Sequence, residues 1–283
     1  MTEGTVEPVD APGGLQQRLI APPLRFVRDW LAGFIDLQGF DRAVALAGQA
    51  FTALIPLLIV YSAVTSKASG SDFADRIVDA FDLKGASAAN VHQAFAPSDT
   101  VESSVSSLGA VILVFSALSF TRALQRLYQF AWQQPSLGMR AAKWGLIWLA
   151  IIVLAVTVRP LLLSPVHGVA LVVVSIAVSG VLWLITPYVL LARRVPWRRL
   201  APTAVLTGVG MTALALASAI WMPHSIATTA GQFGTIGIAF ALLSWLVGYG
   251  VVLVVMAAGG VVIDARMRDY RARRALRASH PPG

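Results

Sequence analysis

The chain has 283 residues, 57% of them hydrophobic and only 13% charged, with a mean hydropathy of +0.71 and a formal net charge of +8. A water-facing surface needs about one quarter charged residues, which excludes a soluble globular domain as the main architecture. No cysteine is present, so neither a disulfide framework nor a thiolate metal site is available.

In chain order, the first dozen residues show no periodic pattern and read as a flank. Leu24, Val27, Leu31, Phe34 and Ile35 then recur at helical spacing, with Arg25, Arg28, Asp29 and Asp36 off that face. The pattern predicts an amphipathic helix lying in the inner membrane interface. Ala43 to Ser66 and Ser103 to Thr121 are free of charge. Trp144 to Ala192 is interrupted only by Arg159, followed at once by Pro160, and Leu200 to Ile263 carries no formal charge. A hydrocarbon core about 30 Å thick takes roughly 20 helical residues, so each of the last two stretches must fold back. Polar breaks sit at Arg159-Pro160 through Ser164-Pro165 and His167, and at Pro223-His224-Ser225.

These marks predict an all-α polytopic membrane protein with six spans, near 44–65, 105–121, 144–163, 167–191, 201–222 and 234–262. A cytoplasmic flank (1–40) precedes the membrane domain (41–265), whose outer loop covers 67–102. An Arg-rich tail (266–283) reads as disordered or bound to the membrane surface through anionic lipid. A cleavable leader is not expected, because the first apolar run begins more than forty residues in. With both termini inside, 18 basic residues face the cytoplasm and 4 (Lys67, Arg76, Lys84 and Arg159) face outward. The positive-inside rule selects that orientation.

Catalytic signatures are missing: there is no P-loop, zinc-binding His-Glu-x-x-His, nucleophile elbow or dinucleotide fingerprint. No enzyme activity, cofactor or metal is expected. The arginine clusters follow the topology, so nucleic acid is not an expected partner. In the outer loop Asp72, Asp75, Asp79 and Asp82 share one helical face. Their spacing reads as a solvated face and not as a calcium loop, which needs ligands at alternate positions around a glycine turn.

Several polar residues inside or at the ends of the spans stand out as candidate lipid- or substrate-binding groups. Gln49 and Pro56 share the first span, as a packing hydrogen bond and a kink or as part of a polar path. Arg122 and Arg126, one turn apart, either snorkel to the inner interface or hold a lipid phosphate. Arg159 poses the same choice at the outer interface. Gly231, Gly234 and Gly237 recur every three residues around Gln232, as helix-packing glycines or as a broken start to the last span.

Asp41-Arg42, Leu46-Ala47 and Leu54-Ile55-Pro56-Leu57-Leu58, then Phe115 to Trp132 (FSALSFTRALQRLYQFAW), form an ordered set. Trp197-Arg198, Gln232-Phe233-Gly234-Thr235-Ile236-Gly237 and Trp245 extend it. Over residues about 40 to 263 this set resembles the YihY/BrkB family of bacterial inner-membrane proteins. The resemblance implies six helices, both termini cytoplasmic and an association with envelope integrity. Movement of envelope lipids is among the activities it suggests, and an old ribonuclease label has no chemical support in these residues. The chain departs from many relatives at Gly48-Gln49, where they have paired tyrosines. It departs again at Gly259-Gly260-Val261, where they end the last span with Gly-Ala-Glu. An intramembrane acid is the natural proton-coupling group, so its absence speaks against proton-driven transport. The expected function is a lipid or lipid-linked-precursor transporter or scramblase, with membrane lipids and anionic cytoplasmic headgroups as partners. A non-transporting scaffold is the alternative, and a homo-oligomer stays open.

Overall fold

Away from water, each backbone N–H and C=O must pair within its own segment, and the apolar runs accordingly fold as helices. The computed structural model describes residues 22–64, 74–75, 78–79, 84–94, 103–163 and 168–279. Among them lie helices α1 (Pro22–Asp36), α2 (Gly39–Val64), α3 (Ala86–Ala94) and α4 (Ser103–Ala131). Helices α5 (Arg140–Leu163), α6 (Val169–Leu190), α7 (Trp197–Phe233) and α8 (Thr235–Ser279) follow, and no strand occurs among the described residues. Among the described residues four stretches are long and apolar enough to cross a membrane: Arg140–Arg159, Val173–Leu190, Trp197–Phe233 and Ile236–Leu276.

The long helices form a closed ring. α8 packs on α7 and α2, α2 on α4, α4 on α5, α5 on α6 and α6 on α7. The outward surfaces of α5, α6 and α7 expose Val153, Leu154, Val173, Ile176, Val209, Leu216 and Ile220. An apolar exterior of that extent belongs against lipid. Hydroxyls in the ring close on their own helices: Thr121, Thr157, Thr186, Thr207, Ser218 and Thr229 each donate to the carbonyl four residues back.

The turns at 37–38, 132–139 and 191–196 gather at one end of the ring. There Arg42 lies over the Phe130 ring at 4.2 Å, and Arg194 Nη1 donates to Pro135 O at 2.7 Å. Beneath them lies the larger core, with Leu46, Leu127, Tyr128, Trp148, Leu190, Leu200 and Leu253. At the opposite end α3 packs on α7 and α8, and Ala74 and Val91 cover Met222, Ile226, Ala230 and Ile238.

Two expectations need correction. Pro223-His224-Ser225 is not a break: α7 runs through it for 37 residues, and the chain reverses at Gly234. Proline only removes one N–H, whereas reversal needs a left-handed residue, and Gly234 supplies it at φ +59. The tail is not disordered as far as it is described, because α8 continues without interruption to Ser279. Its 45 residues rise about 67 Å, more than twice a hydrocarbon core.

The amphipathic pattern of α1 stands as one broad apolar arc, part of it turned to the protein. Trp30 and Phe34 pack on the core, with Trp30 Nε1 donating to Val255 O at 2.7 Å, while Val27, Leu31 and Ile35 point outward. Leu24's side chain lies outside the described residues. Asp75 and Asp79 are exposed, as a solvated face requires, and Asp75 also lies 3.4 Å from His92 Nε2 on α3. Asp72 and Asp82 lie outside the described residues, as does most of the 67–102 loop.

Candidate functional site

The last three turns of α4 place two kinds of polar residue on adjacent faces. Thr121, Gln125 and Gln129, four residues apart, are buried; Arg122 and Arg126, also four apart, are exposed. Helical periodicity makes each set a stripe. The turn after α4 folds the start of α5 back against the buried stripe, where Gln125 Nε2 donates to Ala141 O at 3.0 Å. Gly145 permits this approach, because a Cβ there would lie 3.1 Å from Thr121 Cγ2 and 3.7 Å from Gln125 Nε2.

Between the stripes and the turn lies an open cleft of about 350 Å³, bounded by Arg122, Gln125, Arg126, Gln129 and residues 136–139. Among the described residues no acidic group pairs with Arg122 or Arg126. Arg42 adds to the local positive field. Burial, and then the charge of Arg126, push its pKa below the usual guanidinium value, and its Nε donates to Leu37 O at 2.5 Å. Arginine at such a site stays charged at neutral pH. Two exposed guanidinium groups without an acidic partner among the described residues, one of them repelled by Arg42, suit an oxyanion with several oxygens.

The other candidates do not join this cleft. Gln49 lies ten residues into α2, and its Oε1 is buried without a hydrogen-bond partner among the described residues. Pro56 lies within α2, but its side chain is outside the described residues. Arg159 is exposed near the far end of α5, about 28 Å of helix from Arg140. Gln232 is exposed beside the α7–α8 turn, at the end of the ring opposite Arg122. Hence Arg122 and Arg126 come together, while Arg159 and Gln232 belong to the other end.

The glycine triplet divides in the same way. Gly231 is exposed to open space and Gly234 forms the turn, so neither packs helices; Gly237 alone does, its Cβ position falling on the Thr229 carbonyl. The tight helix contacts lie elsewhere, at Gly250 against Ala43, Gly259 against Trp30 and Gly260 against Thr203.

Sequence reasoning assigned no role to Asp264, whose buried carboxylate meets Arg199 and Arg268. The i,i+4 spacing of Asp264 and Arg268 was its only local signal. Gln125 likewise went unnoticed, although the Thr121-Gln125-Gln129 stripe was present beside the arginines.

Neither a curated protein nor a solved structure matches this chain. One family model, described as virulence factor BrkB, matches residues 31–281: the chain belongs to the YihY/BrkB family.

Proposed function

We propose that the chain is a six-span protein of the bacterial inner membrane, with both termini cytoplasmic, that binds phospholipid headgroups at the α4–α5 cleft and passes lipid or a lipid-linked precursor between leaflets. It does so without covalent catalysis. The observation that carries this reading is the unpaired Arg122–Arg126 stripe on the rim of the cleft. Guanidinium groups one turn apart can share the oxygens of one phosphate. Orientation is supported by charge, since Lys84 and Arg159 are the described basic residues away from the end that holds the cleft. A cytoplasmic face enriched in arginine fits the positive-inside rule. The predicted spans at 44–65 and 105–121 coincide with α2 and α4, which complete the ring.

A non-transporting scaffold is the second reading. It is favoured by the close packing of Leu127, Tyr128, Leu190, Leu200 and Leu253 below the cleft, and by the separation of Arg122 from Arg159 and Gln232. Reconstitution of the purified chain in liposomes containing a fluorescent phospholipid separates the two. Transport predicts faster exposure of inner-leaflet probe to an external quencher than in protein-free vesicles, and slower exposure when both arginines become glutamine. A rate equal to that of protein-free vesicles would refute transport and leave the scaffold.

A further inference from the structure

Gln125 is the polar side chain sunk deepest in the cleft, at 1% exposure. Only half of its amide is used: Nε2 donates to Ala141 O, while Oε1 is buried with no partner among the described residues. A buried carbonyl oxygen without a donor is costly, and native structures leave few of them. Arg122 and Arg126 have the complementary character, offering donors and no acceptor. The cleft therefore presents an oxyanion-binding rim and, in its wall, a buried amide whose vacant acceptor is closed to water and which rotation of the Gln125 side chain would bring to a ligand.

We infer that the cleft selects a phospholipid whose headgroup carries a hydrogen-bond donor beyond its phosphate, an ammonium or a hydroxyl, with the phosphate on Arg122 and Arg126 and the donor on Gln125 Oε1. This rests on the phosphate reading given above and adds the chemistry of the group attached to it. Ethanolamine and choline headgroups separate the two contributions. Both carry one phosphate and no net charge, but the choline nitrogen is fully methylated and has no N–H to give. A site that reads charge alone treats them alike, and a site that uses Gln125 does not.

The test is native mass spectrometry of the full chain in detergent with equimolar phosphatidylethanolamine and phosphatidylcholine of identical acyl chains. One buried hydrogen bond gained or lost changes occupancy about fivefold, so the wild type is expected to retain ethanolamine lipid by about that ratio. Gln125→Met, which keeps length and burial, is expected to bring the ratio to about one through loss of ethanolamine lipid. Gln125→Glu keeps the acceptor and is expected to hold or raise the ratio, which covers the case in which the methionine variant fails to fold. Equal retention of the two lipids by the wild type, or an unchanged ratio in Gln125→Met, overturns the inference. Displacement of the lipid by an equal concentration of soluble glycerophosphoethanolamine also overturns it, by making the ligand a soluble ester. The underlying phosphate reading fails separately, if Arg122→Gln with Arg126→Gln retains as much of both lipids as the wild type.

Discussion

Arg199 of α7 holds Asp264 of α8 with two nitrogens on one carboxylate oxygen, Nε and Nη2 each lying 3.0 Å from Oδ2. Arg268 brings its Nε to 3.2 Å from the same oxygen, and the Asp264 side chain is 6% exposed. The Arg199 guanidinium also lies over the Trp132 ring at 5.5 Å. One buried acid thus joins α7, α8 and the turn that closes the cleft. Removing a single partner from a buried ion pair costs about 3–5 kcal/mol, and Arg199 keeps part of its hydration, so Asp264→Ala is expected to destabilise by about 2–3 kcal/mol. Asp264→Asn retains an acceptor and recovers part of the loss. Thermal unfolding in detergent measures both, and an unchanged Tm for Asp264→Ala would show that the cluster adds nothing to stability.

Gly259 determines how closely α1 approaches α8. A Cβ at this position would fall 2.5–2.7 Å from the Trp30 indole, inside van der Waals contact. Gly259→Val is therefore expected to push Trp30 off α8, break its hydrogen bond to Val255 O and release α1. Amide hydrogen exchange over residues 22–36 reads this directly, with about tenfold faster exchange for a loss near 1.4 kcal/mol. Gly231→Val has open space and is the control, expected to leave exchange unchanged in α7 and α8. Equal behaviour of the two variants would contradict this assignment of the packing glycine.

These glycines also show where sequence reading stops. Charge-free runs marked the helices well, because the exclusion of charge from lipid acts on whole segments. The break between α5 and α6 was legible too: α5 ends at Leu163 and α6 begins at Val169, close to where Arg159-Pro160 and His167 signalled a break. Reading Pro223 as a second break failed because proline lacks a donor without itself imposing reversal, and the residue with positive φ lay eleven positions on, at Gly234. That turn also explains the misread triplet. A spacing of three residues keeps glycines near one face only while a single helix continues, and Gly231 and Gly237 lie on different helices. Gln125 escaped notice for another reason: its significance depends on the partner that Oε1 lacks, and a missing contact across a turn leaves no local pattern.

Topology can be checked at two exposed positions on opposite ends of the ring. Ser136 lies in the turn beside the cleft and Gln232 beside the α7–α8 turn. The chain has no native cysteine, so single Ser136→Cys and Gln232→Cys variants report cleanly. In intact cells a membrane-impermeant thiol reagent is expected to label position 232 and to reach position 136 only after the membrane is opened. The reverse pattern would invert the orientation and place the cleft on the outer face.

Lysine substitution separates headgroup recognition from simple anchoring at Arg122 and Arg126. Both roles need positive charge at this end of α4, so the double Arg→Lys variant is expected to insert, fold and keep its topology. The roles differ in geometry. Guanidinium is a planar fork that can give two parallel hydrogen bonds to one phosphate, whereas an ammonium acts as a compact point charge. Anchoring requires only that a long side chain reach the interface, which lysine does as well. If the pair holds phosphate, losing one charge-assisted bond at each position costs about 1.5–3 kcal/mol per position, a drop of roughly a hundredfold or more in anionic lipid retention. The neighbourhood sharpens the comparison, because Arg42 lies close enough to Arg126 for their charges to repel, and a bound phosphate would relieve that repulsion. Phosphate binding therefore predicts that the double lysine variant loses both lipid and the stabilisation that lipid confers on the wild type. Added anionic lipid should raise the wild-type Tm and leave the variant's nearly unchanged. Equal lipid retention and an equal rise in Tm for the two proteins would reduce the pair to anchors, and the cleft would lose its claim as a binding site.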